Sequence, residues 1–154
     1  MRHVRVTALA LFVVLWAGPA PAEYTPREIE EGVARCEKSP PGPQVEVNAC
    51  AGLQAAKAEQ RLTRAYTGLR ALLKRFGEPG DAEHLLKVQR AWIAFREASC
   101  ESRDRGTMVS MVQSGCIGEM ADDRAKDLEA WLAEECDRNC VTGTEIKECR
   151  ACGT

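Results

Sequence analysis

The chain has 154 residues, with 21 Lys and Arg against 23 Asp and Glu and a formal net charge of −2. That length suits one domain, and the slight acidity disfavours a nucleic-acid partner, which would call for a basic surface. Eight cysteines in so short a chain point to a compartment where thiols oxidise.

The N-terminus reads as a secretory leader. Arg2, His3 and Arg5 make a basic start, Val6 to Gly18 is an apolar run, and Ala20-Pro21-Ala22 offers small residues for cleavage before Glu23. The run is too short to span a bilayer, which takes about 20 apolar residues. The expected divisions are a signal peptide at 1–22, a helical domain at 23–135 and a disulfide-rich C-terminal hairpin at 136–154. No membrane insertion is expected once the leader is removed.

Thr25-Pro26-Arg27-Glu28 combines a capping hydroxyl, a proline at the first helical position and an acid three residues on, so a short helix should run to about Glu37. Ser39 to Pro43 stops it. From about Glu46 to Phe76, Ala51, Ala55, Ala58, Leu62, Ala65, Leu69, Leu72 and Phe76 recur at steps of three and four, with Tyr66 and Leu73 widening the stripe. Gly77-Glu78-Pro79-Gly80 ends this longest helix, and Asp81 is positioned to cap the next. That helix, about 82 to 103, should pack antiparallel on its predecessor through Leu85, Val88, Trp92 and Phe95. After the turn at Gly106-Thr107, a last helix at about 108 to 135 places Val109, Val112, Cys116, Met120, Leu128, Trp131 and Leu132 on one stripe, with Gly115 and Gly118 as weak points. No alternating strand pattern competes. The fold class is therefore all-α, a small antiparallel bundle stapled by disulfides.

Cys36 and Cys50 flank the Pro-rich turn, and Cys100 and Cys116 flank the Gly106 turn, so each pair is expected to bridge. Each closes a loop worth about 3 kcal/mol in the chain-entropy picture. Cys136, Cys140, Cys149 and Cys152 could hold zinc by spacing, but an oxidising compartment favours bridges. In a helical hairpin turning at Thr142-Gly143, inner thiols meet inner and outer meet outer, giving Cys140–Cys149 and Cys136–Cys152.

Catalytic candidates are few. Without the leader the chain keeps one histidine, His84, in the first turn of a helix beside Asp81 and Glu83, where a solvated role is expected. Glu119, Asp122, Asp123 and Asp127 are interleaved with Arg124 and Lys126 and read as helix-surface charge pairing rather than a hydrolytic pair. Neither an enzyme, a bound metal nor a cofactor is expected.

The segment Val88-Gln89-Arg90-Ala91-Trp92-Ile93-Ala94-Phe95-Arg96-Glu97-Ala98-Ser99-Cys100 resembles the signature of the LprI-type lysozyme inhibitor domain. Asn48-Ala49-Cys50-Ala51, Leu62, Tyr66, Cys116, Arg124 and Leu128 also match that pattern, so the resemblance spans about Cys36 to Leu128. The chain departs from it at Val88, Thr63, Glu97 and Ala121, and in the tail beyond Cys136. The motif residues are Gln89, Arg90, Trp92, Phe95, Arg96 and Cys100. In physical terms Trp92 and Phe95, with Tyr66, should be core aromatics. Arg96, one turn from Trp92, should stack on that ring or pair with an acid of a facing helix. Gln89 and Arg90 should be solvated.

The resemblance implies an exported protein, periplasmic or secreted, whose partner is a lysozyme that it inhibits by occlusion. The alternative is a non-inhibitory structural or scaffolding protein of the bacterial cell envelope. For the partner-binding surface the sequence offers Glu78, Asp81 and Arg90, the first two in a turn whose sign suits a cationic partner, and a second turn at Arg103 to Thr107.

Overall fold

The computed structural model describes residues 24–39, 42–101, 106–139 and 149. The expected leader and most of the C-terminal hairpin lie outside them. Among the described residues four helices follow in order: α1 at Pro26–Lys38, α2 at Gln44–Phe76, α3 at Asp81–Cys100 and α4 at Val109–Asn139. Each lies within four residues of its expected bounds. The expected boundary after Glu135 falls inside α4.

The caps explain where the helices begin. At α1 the Glu28 amide donates to Thr25 Oγ1 at 3.3 Å, and the Thr25 amide donates to Glu28 Oε2 at 2.7 Å, the reciprocal pattern expected of the sequence. These bonds to Thr25 hold the Glu28 carboxyl below its ordinary range. The start of α3 differs from expectation. Gly80, at φ 102°, occupies the N-cap, and Asp81 is already helical. Its carboxylate turns back to accept the Glu78 amide at 2.9 Å, so it fixes the preceding turn instead of capping the helix.

The chain alternates direction from helix to helix. The Cys36–Cys50 bridge and the approach of Gly32 to Leu53 set α1 antiparallel to α2. Arg96 reaches Glu59 and Gln89 meets Arg124, which run α3 against both α2 and α4. Accordingly α2 and α4 are parallel: Ala55 lies beside Gly118, and Gly68 beside Leu132. The core comprises Leu62, Ala65, Leu69 and Leu73 of α2, Ala82 and Leu85 of α3, and Ala121, Ala125 and Leu128 of α4, with Tyr66, Trp92, Trp131 and Leu132 packed at its edge.

The broad stripe expected on α4 is narrower than the sequence suggests. Val112 is exposed, whereas Ala121 and Ala125 are fully buried against α2. Small residues let the two long helices approach closely, which brings more backbone and Cβ atoms into contact. A Cβ added at Gly118 would stand 3.1 Å from the Cα of Ala55, while one at Gly115 would meet nothing within 4 Å. The two glycines, both expected to be weak points, therefore play different parts.

Two expected bridges are present, Cys36–Cys50 and Cys100–Cys116, with Cα atoms 5.8 and 5.6 Å apart. The tail differs. Cys136 pairs with Cys149 at a Cα separation of 5.6 Å, which corrects the expected Cys140–Cys149 and Cys136–Cys152 pairings. Each cysteine bridges once, so the Cys136–Cys149 pair leaves neither Cys149 for Cys140 nor Cys136 for Cys152, and α4 runs on past Cys136 to Asn139 where the sequence places the start of a separate hairpin. Cys140 and Cys152 lie outside the described residues.

Replacing Gly115 with Ala should stabilise the protein by up to about 1 kcal/mol through helix propensity, while Gly118→Ala should gain nothing or destabilise, because the α2 backbone stands in the way. Urea denaturation of both variants checks this, and equal gains would mean that α2 and α4 are not in close contact at Gly118.

Candidate functional site

The motif helix α3 turns a polar face inward. Ala82, Leu85, Gln89, Arg96 and Cys100 are its buried residues. Gln89 and Arg96 are only 6% and 8% exposed, so Gln89 is not the solvated residue the sequence suggests. Its side-chain oxygen accepts from Arg124 Nε at 3.3 Å, tying α3 to α4. Arg96 does both things expected of it. Its guanidinium lies 5.1 Å from the Trp92 ring centroid and forms an ion pair with Glu59 on α2. Glu59 carries no signal in the sequence, since nothing there says which acid on α2 a buried arginine of α3 will meet.

This inward polar face moves the aromatics. Successive residues on a helix are rotated by about 100°, so facing Gln89 and Arg96 toward α2 and α4 turns Phe95 and Val88 outward. Phe95 is 62% exposed, which corrects its expected place in the core, and Val88 is also exposed. Trp92 lies between the two faces, half-buried under Arg96 and against the core edge. Arg90 is exposed, as expected. Tyr66 packs at the core edge with a buried hydroxyl that has no partner among the described residues.

The turn bearing Glu78 and Asp81 is built rigidly. The Gly77 amide donates to the Leu73 carbonyl at 2.9 Å, and the Asp81 amide to the Glu78 carbonyl at 3.1 Å. Asp81 is occupied by the Glu78 amide, which leaves the exposed Glu78 carboxylate as the acid this turn presents. His84 is solvent-facing one turn farther on.

The opposite end of the bundle carries the Cys36–Cys50 and Cys100–Cys116 bridges. Asn48 of α2 donates to the Thr107 carbonyl at 2.9 Å, which pins the start of α4 to the start of α2. Three exposed apolar side chains stand near that bond along the chain: Val45 three residues before Asn48, Met108 next to Thr107 and Val112 four residues after Met108. Of the expected second turn, Gly106 and Thr107 are described.

Of the acids expected to pair along α4, Asp122 and Asp123 do so with Lys126, while Glu119 and Asp127 form no ion pair among the described residues, Arg124 turns to Gln89, and an arginine of α2 takes a part the spacing does not suggest. Arg61 of α2 donates to Glu129 through Nε at 2.9 Å and Nη2 at 2.5 Å, and to Asp122 through Nη1 at 2.5 Å. Lys126 bridges Asp122 at 2.9 Å and Asp123 at 2.8 Å. The Lys126 hydrogen bond, then that of Arg61, holds the Asp122 carboxyl below its ordinary range, and Arg61 does the same for Glu129. Among the described residues no group of three or more His, Cys, Asp or Glu is placed to hold a metal ion, and no helix is long and apolar enough to cross a membrane.

Two outcomes test this arrangement. Arg96→Lys keeps the charge but loses the planar stacking on Trp92, and should cost about 1 to 2 kcal/mol while shifting Trp92 emission to the red in a Trp131→Phe background. Unchanged emission would show that the ring does not rest on Arg96. For Arg61, the folded carboxyls of Asp122 and Glu129 lie below their unfolded values, so their contribution is present above about pH 4 and is lost as pH falls through the folded values. These side chains remain more than a third exposed, so Arg61→Ala should cost no more than about 1 kcal/mol at pH 7. The difference from wild type should shrink below about pH 4, and a difference that grows there would overturn the assignment.

Residues 36–128 match the family model described as Lysozyme inhibitor LprI. A protein of Rhizobium meliloti (strain 1021), itself described as uncharacterized, is 29% identical over 82% of this chain and 94% of its own length. No solved structure gives a significant match. The matched span begins at Cys36, ends at Leu128 and contains the motif helix, both bridges at the stapled end and most of the core, so the chain belongs to the lysozyme inhibitor LprI family.

Proposed function

We propose that the protein is exported to the periplasm or the medium, where it binds a lysozyme and inhibits it by covering its cleft. The family match supports a protein partner, and the disulfides are in keeping with a compartment outside the cytoplasm. Inhibition by occlusion needs a surface that is stiff before binding, because ordering a loop at the interface would cost affinity.

The observation that carries the reading is the stapled end of the bundle. Two bridges and the Asn48 bond to Thr107 hold Val45, Met108 and Val112 in place while leaving them exposed. Apolar side chains held on a rigid scaffold make good anchors for a cleft. The turn at Glu78, at the other end of the bundle, is not part of that contact, and its free carboxylate serves only to steer the protein toward a cationic enzyme. The exposed guanidinium of Arg90 lies on neither end.

A turbidity assay on cell walls, run with chicken-type, goose-type and invertebrate-type lysozymes beside calorimetry, tests the proposal. Stoichiometric inhibition of at least one type is expected. Met108→Glu should weaken inhibition by about tenfold or more through loss of an anchor, whereas Glu78→Lys should slow association and leave dissociation nearly unchanged. No binding to any of the three enzymes at micromolar concentration sinks the inhibitor reading. Loss of inhibition with Glu78→Lys alone would move the contact to the other end of the bundle.

A further inference from the structure

Helix α3 uses one face for the core and leaves another without a partner. The free face carries His84, Val88, Ala91, Phe95 and Ala98, all exposed, at steps of four, three, four and three. That is the spacing of a two-helix seam, in which an apolar residue returns every 3.5 positions. From His84 to Ala98 the stripe runs about 21 Å along the helix. A seam of this regularity calls for another helix, and α1, α2 and α4 all pack elsewhere.

We propose that a second copy of this chain covers the stripe, with the two α3 helices antiparallel. The sequence of the stripe is complementary to itself in that direction and not in the other. When the helices are paired so that Phe95 stands across from Ala91 of the second copy, Val88 stands across from its Ala98. Large side chains then fill the space left by small ones in every layer. In the same register the exposed Lys87 of one copy flanks the exposed Glu101 of the other, once on each side of the two-fold axis. Arg90 and Glu97, farther from the seam, repeat the same opposition of sign at longer range. A parallel, in-register pairing would instead set Phe95 against Phe95 and would bring Lys87 beside Trp92 rather than Glu101 of the second copy.

The seam has four central layers and few large side chains, so the dimer is of the weak, reversible kind whose interface falls at the small end of the usual range. The proposal does not rest on the lysozyme reading.

Sedimentation equilibrium of the oxidised protein, purified from the periplasm or the medium, tests it between about 10 µM and about 1 mM, the span over which a weak dimer forms. Concentration-dependent dimerisation is expected. Phe95→Glu should weaken it roughly 100-fold with no change in helical circular dichroism, because Phe95 lies outside the core. Lys87→Glu and Glu101→Lys should each weaken association, and the double variant, or an equimolar mixture of the two single variants, should restore it. That rescue occurs only if residue 87 of one copy faces residue 101 of the other. A wild-type protein that stays monomeric throughout, a Phe95→Glu variant that still dimerises, or a double variant that stays as weak as the singles overturns the proposal. A monomeric wild type whose Phe95→Glu variant loses lysozyme inhibition would assign the stripe to the enzyme instead.

Discussion

The close parallel contact between α2 and α4 is the constraint on which the rest of the molecule depends. Ala55, Ala65, Ala121, Ala125 and Gly118 line it, and Gly118 stands almost against the α2 backbone. Because the two helices run in the same direction, the chain must cross back between them, and α3 is that return. It therefore lies in the trough that α2 and α4 share, where each of its inward residues faces one helix or the other. A wider separation would need large aromatics to fill it, and the chain has few: aromatic residues are 5% of the total.

The trough also accounts for the polar residues buried on α3. Gln89 reaches α4 through Arg124, and Arg96 reaches α2 through Glu59, so the return helix is tied to both walls by groups that accept only one register. Such ties add less to stability than to uniqueness, since removing two charges from water offsets much of their attraction. Leu69, Leu85 and Leu128, almost wholly buried, supply the apolar driving force at the centre.

How far this was legible in the sequence follows from what each signal measures. Helix existence and limits were plain because Thr25-Pro26, the Pro-rich turn and Gly77 to Gly80 punctuate the chain by backbone chemistry alone. Cys36–Cys50 and Cys100–Cys116 were readable because each pair flanks a turn between adjacent helices. The rotation of α3 was not, since apolar periodicity favours Val88, Trp92 and Phe95 as the inward face, and only the partners Glu59 and Arg124 on other helices turn Gln89 and Arg96 in. The small-residue contact escaped for a related reason: alanine and glycine weigh little in any hydropathy pattern, yet they decide how near two helices come. Of the proposed partner-binding residues, Glu78 and Arg90 could be placed at the surface from sequence, but the engagement of Asp81 with the Glu78 amide depends on the left-handed Gly80.

The order of the cysteines along the chain has a consequence for how the protein acquires its bridges. Cys36 and Cys50 are successive cysteines, as are Cys100 and Cys116, so a chain oxidised progressively from its N-terminus arrives at both pairs without choosing. Cys136–Cys149 is different, because Cys140 intervenes and reaches the oxidant before Cys149 does. That bridge thus depends on α4 having formed before its cysteines react, or on a thiol–disulfide isomerase that reshuffles a premature pair. Closure of the two bridges up to Cys116 is a matter of oxidation alone, while that of the bridge from the end of α4 is coupled to the cell's capacity for disulfide exchange.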